Sequence, residues 1–225
     1  MWSFAEMDKK YLIVEGYYDF LFYTSLFNKL KIKDIKIISP QNFGFPYNGK
    51  GNAINLLKDL IKQFYDGRVE KIGIILDADF NNISKQGFHN TLQEIKEKVE
   101  KDGYELLTKP NKYNDGIILK SSKGLPDIAV WIMPDNKNEG YLEFLLIEAI
   151  DSANKQSKEE AEKICNELKT YTFPAHHRQK SLLAIFMAMQ ENPGRNITHL
   201  VEKNYLDFEN GTMKKLINFI TDYYR

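Results

Sequence analysis

Short apolar runs alternate along the chain with longer segments in which apolar residues recur at three- and four-residue intervals. The apolar runs predict buried strands at residues 11–14, 34–38, 71–76, 116–119 and 128–133. The helical spacing predicts helices at residues 16–30, 51–64, 91–101, 139–150, 157–168, 179–190 and 210–223. Strands alternating with helices are typical of βαβ units, so we expect an α/β fold whose mostly parallel sheet is covered by helices on both faces. The paired runs 116–119 and 128–133 are joined by turn residues and predict an antiparallel addition at one edge of the sheet.

The pattern changes after Asp151, where the strand signals stop and only helical segments follow. We therefore predict an α/β core over residues 1–150 and a helical extension over residues 151–225. Because the helices of this extension have apolar faces that need a partner, we expect them to pack on the core within one structural domain.

Composition narrows the class of protein. Hydrophobic residues make up 43% of the 225 positions, and 31 basic residues balance 31 acidic ones, which excludes a disordered chain. No apolar run approaches the roughly 20 residues that span a bilayer, so no membrane partner is expected. The single cysteine, Cys165, cannot form an internal disulfide, which favours a cytoplasmic location. A net charge of zero argues against coating nucleic acid by bulk electrostatics but is compatible with an enzyme that contacts a few phosphates.

Four carboxylates follow the two clearest strands. Glu15 ends the run YLIV with Asp19 about one helical turn later, while Asp77 and Asp79 follow KIGIIL. Alternate residues of an extended chain point the same way, and ligands of open α/β sheets bind beyond the carboxyl ends of strands, so all four acids are expected to face one spot. Two carboxylates about 4 Å apart repel by roughly 1 kcal/mol in water and about 4 kcal/mol at an effective dielectric near 20. The set therefore favours a bound cation, and its oxygen-only ligands favour Mg²⁺ or Mn²⁺.

Each acid taken alone has a structural alternative. Asp79 suits a turn, and Asp19 suits the first turn of a helix, where the dipole stabilises a negative charge. The occurrence of both sets at two strand ends favours the metal site over this alternative.

Residues 44–51 match the spacing of a phosphate-binding P-loop. However, Gly51 stands where a Ser or Thr hydroxyl would contact Mg²⁺, and Pro46 removes one backbone donor, so an ATPase is disfavoured. Two interpretations stay open: a turn in which Lys50 and Gly51 bind a phosphate group, and an ordinary flexible loop.

The strand-end acids resemble the Toprim pattern of topoisomerases, primases and OLD-family nucleases. Glu15-Gly16 after YLIV and Asp77-x-Asp79 after IGIIL carry this resemblance, and the stretch WIMPDNKNEGYLEFLL is similar to a group of small Toprim-like proteins. The resemblance implies that Glu15 acts as an acid/base or metal ligand and that Asp77 and Asp79 bind metal. The OLD-like nucleases add a further acid and a lysine.

For that further acid and lysine, the candidates in this chain are Glu143 and Lys180. Their structural alternatives are a first-turn acid favoured by the helix dipole for Glu143 and a solvated side chain for Lys180. Asp19 joins Glu143 as a predicted metal ligand, and Lys180 joins Glu15 as a predicted catalytic residue.

Two functional classes follow. The first is a nuclease that uses Mg²⁺ or Mn²⁺ for phosphodiester chemistry on DNA or RNA. The second is a non-catalytic protein that keeps a Toprim-like scaffold as a binding platform. A topoisomerase and a primase are disfavoured because gate domains and a zinc or template-binding module are not recognisable in the sequence. A homodimer or a larger complex is left open.

Overall fold

The fold is built on one six-stranded mixed sheet. A computed structural model describes residues 9–107, 116–209 and 211–225. The strands of these ranges are β1 Lys10–Val14, β2 Lys36–Ile38, β3 Lys71–Asp77, β4 Tyr104–Leu106, β5 Ile117–Ser121 and β6 Ile128–Met133. They lie in the order β2-β1-β3-β6-β5-β4, in which the first four are parallel and β5 and β4 are antiparallel to their neighbours. The expected parallel sheet and its antiparallel edge are confirmed.

Nine α-helices lie in the described ranges. They are α1 Tyr17–Leu30, α2 Lys50–Ile61, α3 Asn81–Ser84, α4 Phe88–Glu100, α5 Leu142–Glu148, α6 Lys155–Glu167, α7 Arg178–Ala188, α8 Thr198–Glu202 and α9 Gly211–Tyr224. Among the described residues, no helix is both long enough and apolar enough to cross a membrane.

Two hydrophobic cores enclose the sheet because successive strand residues point to opposite faces. Leu12 and Val14 face a core that includes α1, α5 and the helices after residue 151, whereas Ile13 faces a core built with α2 and α4. Helices therefore cover both faces, and the predicted α/β fold is confirmed.

The predicted helix at 139–150 is wrong at its beginning, since α5 starts only at Leu142. The residues before it are not helical, because Gly140 and Asp79 form two reciprocal backbone hydrogen bonds with N···O distances of 2.8 and 3.1 Å. This pair fixes the start of α5 beside the end of β3.

The last helix is attached to the centre of the sheet. The Tyr223 hydroxyl donates to the carbonyl oxygens of Ile72 and Asp127 at 3.0 and 2.6 Å, and the Tyr224 hydroxyl donates to that of Tyr11. Gly73 in β3 allows this approach, because a Cβ there would lie 2.6 Å from the Tyr224 hydroxyl. The helical extension thus packs on the sheet, while the division at residue 150 stays a prediction.

Candidate active site

The carboxyl ends of β1, β3 and β6 meet at one edge of the sheet. Since β1 pairs with β3 and β3 with β6, Glu15, Asp77 and the start of α5 become neighbours. This edge carries a cleft of about 800 Å³ that we call the acidic cleft. Its lining includes four of the predicted acids and the predicted lysine, namely Glu15, Asp19, Asp77, Glu143 and Lys180.

Asp77 ends β3 at the centre of this cleft. Its Oδ1 accepts a hydrogen bond of 3.0 Å from the backbone N–H of Leu142, the first residue of α5. Burial raises the pKa of Asp77 well above its usual range, and the charges of Asp19, Glu15 and Glu143 raise it further. Asp77 is therefore surrounded by other acids while one of its oxygens is held by a helix terminus.

Glu15 connects the ends of the first and third strands. Its Oε2 accepts a hydrogen bond of 3.3 Å from the backbone N–H of Asp77. Burial raises its pKa, whereas the Lys50 ammonium opposes that rise and the Asp79 carboxylate adds to it. Its protonation thus depends on the cations and acids near the strand ends.

Asp19 lies in the first turn of α1, where its Oδ2 accepts from the backbone N–H of Gly16 at 3.0 Å. This is the helix-capping role foreseen as its structural alternative, but the side chain also lines the acidic cleft. Burial raises the pKa of Asp19 to about 7, with further contributions from Glu15 and Glu143. Asp19 therefore caps α1 and lines the cleft at the same time.

Glu143 and Lys180 are brought to the same cleft from different elements. Glu143 lies in the first turn of α5, where burial raises its pKa and the Lys180 ammonium opposes that rise. Lys180, in the first turn of α7, has its Nζ 4.7 Å from the centre of the Tyr141 ring, a cation–π distance. The sequence placed both residues at helix starts, and the fold makes them neighbours.

The geometry expected at Asp79 is wrong. The chain is not extended there: Asp79 has φ of 58°, because its backbone pairs with Gly140 beyond the end of β3. Its Oδ2 lies 2.7 Å from the Nζ of Lys50, and its charge adds to the rise that burial causes in the pKa of Asp77. Asp79 lies outside the set of residues that line the acidic cleft, although its charge reaches Glu15.

Of the two interpretations left open for residues 44–51, the one in which Lys50 binds a phosphate group does not agree with the position of its side chain. Its side chain is only 10% exposed and its Nζ contacts Asp79, Gln86 at 3.2 Å and Thr91 at 3.3 Å. Gly51 is exposed in the first turn of α2, and a Cβ added at this position would have no neighbour within 4 Å. In this conformation Lys50 compensates acids at the strand ends, and only Gly51 faces open space.

The cleft contains residues that the sequence reasoning did not select. Tyr17 and Tyr18 lie at its opening beside Asp19, and Arg195 comes from the segment between α7 and α8. The doublet YY between Glu15 and Asp19 was the available signal for the tyrosines. Arg195 follows a Pro-Gly turn with no periodicity, so the sequence offered no signal for it.

The buried side chain of Tyr23 lies near two acids of the cleft. Its side chain is fully buried, its hydroxyl has no hydrogen-bond partner, and the charges of Asp19 and Asp77 help to raise its pKa. A buried hydroxyl usually has a partner, so this orphaned donor lies near the acids without being satisfied by them. The four carboxylates supply the hard oxygen ligands that Mg²⁺ prefers.

The arrangement of these acids limits how a cation binds. Within the described ranges, no group of three or more His, Cys, Asp or Glu side chains is arranged to hold a metal ion by itself. Mg²⁺ typically uses one or two carboxylates and completes its octahedron with waters and substrate oxygens. The described acids therefore do not form a closed protein cage, and binding of a hydrated Mg²⁺ or Mn²⁺ stays a prediction.

Comparison with known proteins identifies the family and no activity. The chain belongs to the family described as "Protein of unknown function (DUF3226)", which matches residues 9–225. No curated protein and no solved structure matches the chain. The family description assigns neither a Toprim domain nor a nuclease, so that resemblance stays a prediction.

Proposed function

We propose that this chain is a phosphodiesterase that acts on nucleic acid and depends on Mg²⁺ or Mn²⁺ bound in the acidic cleft. The observation that carries the proposal is the convergence of Glu15, Asp19, Asp77 and Glu143 on one cleft at the ends of the strands. A Toprim-like ancestry, suggested by the motifs around Glu15 and Asp77, is part of the same proposal.

Electrostatics favours a cation over a purely structural role. Burial raises the pKa values of both Asp19 and Asp77 and neighbouring acids raise them further, so charging the full set without a cation is costly. A pair of carboxylates about 4 Å apart repels by about 4 kcal/mol at an effective dielectric near 20. A fold that needed only helix caps would gain nothing from placing these acids together.

The backbone prepares the cleft for a ligand. Hydrogen bonds from Leu142 and Gly16 each engage one oxygen, of Asp77 and of Asp19 respectively, and so fix the carboxylate planes. Side chains held in this way lose little further freedom on binding. Each carboxylate can then offer its other oxygen to a ligand.

The protonation of Glu15 and the charge of Lys180 give these two residues different roles in the proposed reaction. A divalent ion, when bound, supplies an activated water and stabilises the leaving oxygen. Glu15, whose pKa is raised by burial, is suited to hold or transfer a proton at its carboxylate. Lys180, next to Glu143, places an ammonium where a phosphodiester gains negative charge in the transition state.

A cleavage panel tests this function. Purified protein would be incubated with Mg²⁺ or Mn²⁺ and single- or double-stranded DNA or RNA, with Asp77→Asn as the inactive control. We expect cleavage of at least one substrate that requires metal and Asp77. Calorimetry would measure metal binding in parallel: if no metal binds, the proposal is refuted, and metal binding without cleavage of any substrate would favour the non-catalytic binding platform.

A further inference from the structure

Two exposed tyrosines stand at the opening of the acidic cleft. Tyr17 and Tyr18 are 59% and 65% exposed, and their ring centres lie 6.2 Å apart at an interplanar angle of 64°. Both line the same cleft as Glu15 and Asp19. The acidic groups and two accessible aromatic faces therefore border one space.

The fold does not explain why these two positions are aromatic. The aromatic residues that attach α1 to the sheet are Phe22, Tyr23 and Phe27, which are buried in the core. Tyr17 and Tyr18 precede them in the first turn and leave most of their surface in water. Other tyrosines such as Tyr65 are as exposed, so what distinguishes Tyr17 and Tyr18 is that their accessible rings line the acidic cleft, where a ligand can cover them.

Charge in the cleft makes it a poor general binder of phosphates. Its lining includes two cations, Lys180 and Arg195, against four carboxylates. The formal net charge of the whole chain is zero. A polynucleotide bound here gains little from counterion release, so another interaction must contribute to its affinity.

We propose that Tyr17 and Tyr18 form a stacking platform for an unpaired base beside the scissile phosphate, so that the substrate class is single-stranded nucleic acid. This inference rests on the proposed function and specifies its substrate. Bases in a duplex are stacked on their neighbours and present only their edges, whereas an unpaired base offers its face to an aromatic ring. Lys180 and Arg195 contact the phosphates of the same strand.

The platform predicts a weak dependence of binding on salt. For single strands, the slope of log K against log salt is about −0.7 for each neutralised phosphate. With two cations in the cleft, we expect a slope of about −1.4. Stacking is insensitive to base identity because every base has a π face, so the preference among sequences is expected to be small.

The test is fluorescence anisotropy with a labelled oligo-dT of about ten nucleotides and a blunt hairpin duplex, in Ca²⁺ to limit cleavage. We expect wild type to bind the single strand more tightly than the duplex. Tyr17→Ala/Tyr18→Ala should bind the single strand about ten- to hundredfold more weakly, whereas Tyr17→Phe/Tyr18→Phe, which keeps the rings, should bind it as wild type does. The matched control is Tyr65→Ala, since Tyr65 is also 59% exposed but lies outside the cleft.

The outcomes separate this inference from the proposed function. If wild type binds metal and cleaves nucleic acid but the Ala double variant binds single strands normally, only the stacking platform is refuted. Equal affinity for duplex and single strand, or a salt slope several times steeper than expected, also refutes it. If wild type binds neither metal nor any nucleic acid, both proposals fail. Circular dichroism melts of all variants would verify folding, which these exposed positions should not disturb.

Discussion

The Nζ atom of Lys50 lies 2.7 Å from Oδ2 of Asp79, so a cation at the strand ends is held by an acid that the sequence assigned to metal binding. Because this ammonium also stabilises the charged form of Glu15, it competes with an added cation. We expect Lys50→Met to bind Mn²⁺ several-fold more tightly in calorimetry. Without metal, its free energy of unfolding should fall by about 1–3 kcal/mol, because Asp79 loses a charged partner.

The matched control for Lys50→Met is Lys62→Met. Lys62 pairs with Asp59 at the same distance of 2.7 Å, but both side chains are more than half exposed. An exposed pair contributes about 1 kcal/mol or less, so neither metal affinity nor stability should change much. If Lys50→Met leaves Mn²⁺ affinity unchanged, Lys50 does not compete with the metal.

Substitutions of Asp77 distinguish a metal ligand from an acid that only stabilises the fold. Asp77→Asn removes a repelling charge yet keeps an oxygen that accepts from Leu142, so in chelator it should melt at or above the wild-type temperature. It should also lose the stabilisation that Mn²⁺ gives wild type. Asp77→Ala removes the acceptor as well and should melt lower than wild type. A large drop in the melting temperature of Asp77→Asn would favour the structural role.

The raised pKa of Asp19 leads to a prediction of how the stability of the fold depends on pH. Burial and the acids Glu15 and Glu143 raise its folded-state pKa to about 7, while in the unfolded chain an aspartate titrates near pH 4. Between these values the folded state binds more protons, so the stabilisation is complete below about pH 4 and is lost as pH rises through about 7. In chelator, the melting temperature should therefore fall between about pH 5 and pH 8.

Two further melts test the cause of that pH dependence. Asp19→Asn should flatten the fall, and Mn²⁺ should oppose it most at the higher pH, where the carboxylates are charged. A melting temperature that rises over this interval in chelator would contradict the assigned electrostatics. A fall that is identical in wild type and Asp19→Asn would assign the effect to other groups.

Glu143 and Lys180 are expected to affect cleavage more than folding. Glu143→Gln and Lys180→Ala should melt within a few degrees of wild type and lose most Mg²⁺-dependent cleavage, because they remove the negative charge of a ligand and a positive charge that stabilises the transition state. Lys163→Ala, at an exposed position on α6, serves as the control and should cleave normally. Wild-type cleavage by either variant would place that residue outside the machinery.

Two glycines should respond to alanine in opposite ways. At Gly73, a Cβ would lie 2.6 Å from the Tyr224 hydroxyl, so Gly73→Ala should lower the free energy of unfolding by about 1–3 kcal/mol. At Gly51, the new Cβ meets open space in a helix, and alanine should raise stability by about 0.5–1 kcal/mol. Chemical denaturation would measure both. A loss of nucleic-acid affinity in Gly51→Ala would support the predicted phosphate contact at the start of α2.

Continuous apolar runs made the central strands predictable from sequence. The ends of these strands located Glu15 and Asp77, because a parallel sheet puts its carboxyl ends at one edge. The strand β4 was missed since it has only three residues, of which Glu105 and Leu106 are exposed, and so shows no buried run. The short helix α8 was missed because five residues are too few to show a helical period.

The orientation of side chains at the site depended on contacts remote in sequence. The carboxylate of Asp79 meets Lys50 while its backbone pairs with Gly140, and that pairing cannot be read from the residues around Asp79. The position of Arg195 at the cleft likewise depends on how the segment between α7 and α8 packs. Local pattern predicted which strand ends carry acids, and tertiary structure decided which of those acids face the cleft.

The hydrogen bond between Tyr224 and Tyr11 connects residues that are 213 positions apart. At synthesis rates of roughly 5–20 residues per second, the ribosome needs roughly 10–40 s to make the intervening chain. Once Trp131 has been made, the sheet face on which it packs against Phe219 still lacks the cover that α9 provides. A nascent chain of this protein therefore presents an apolar sheet face to chaperones until α9 has left the exit tunnel.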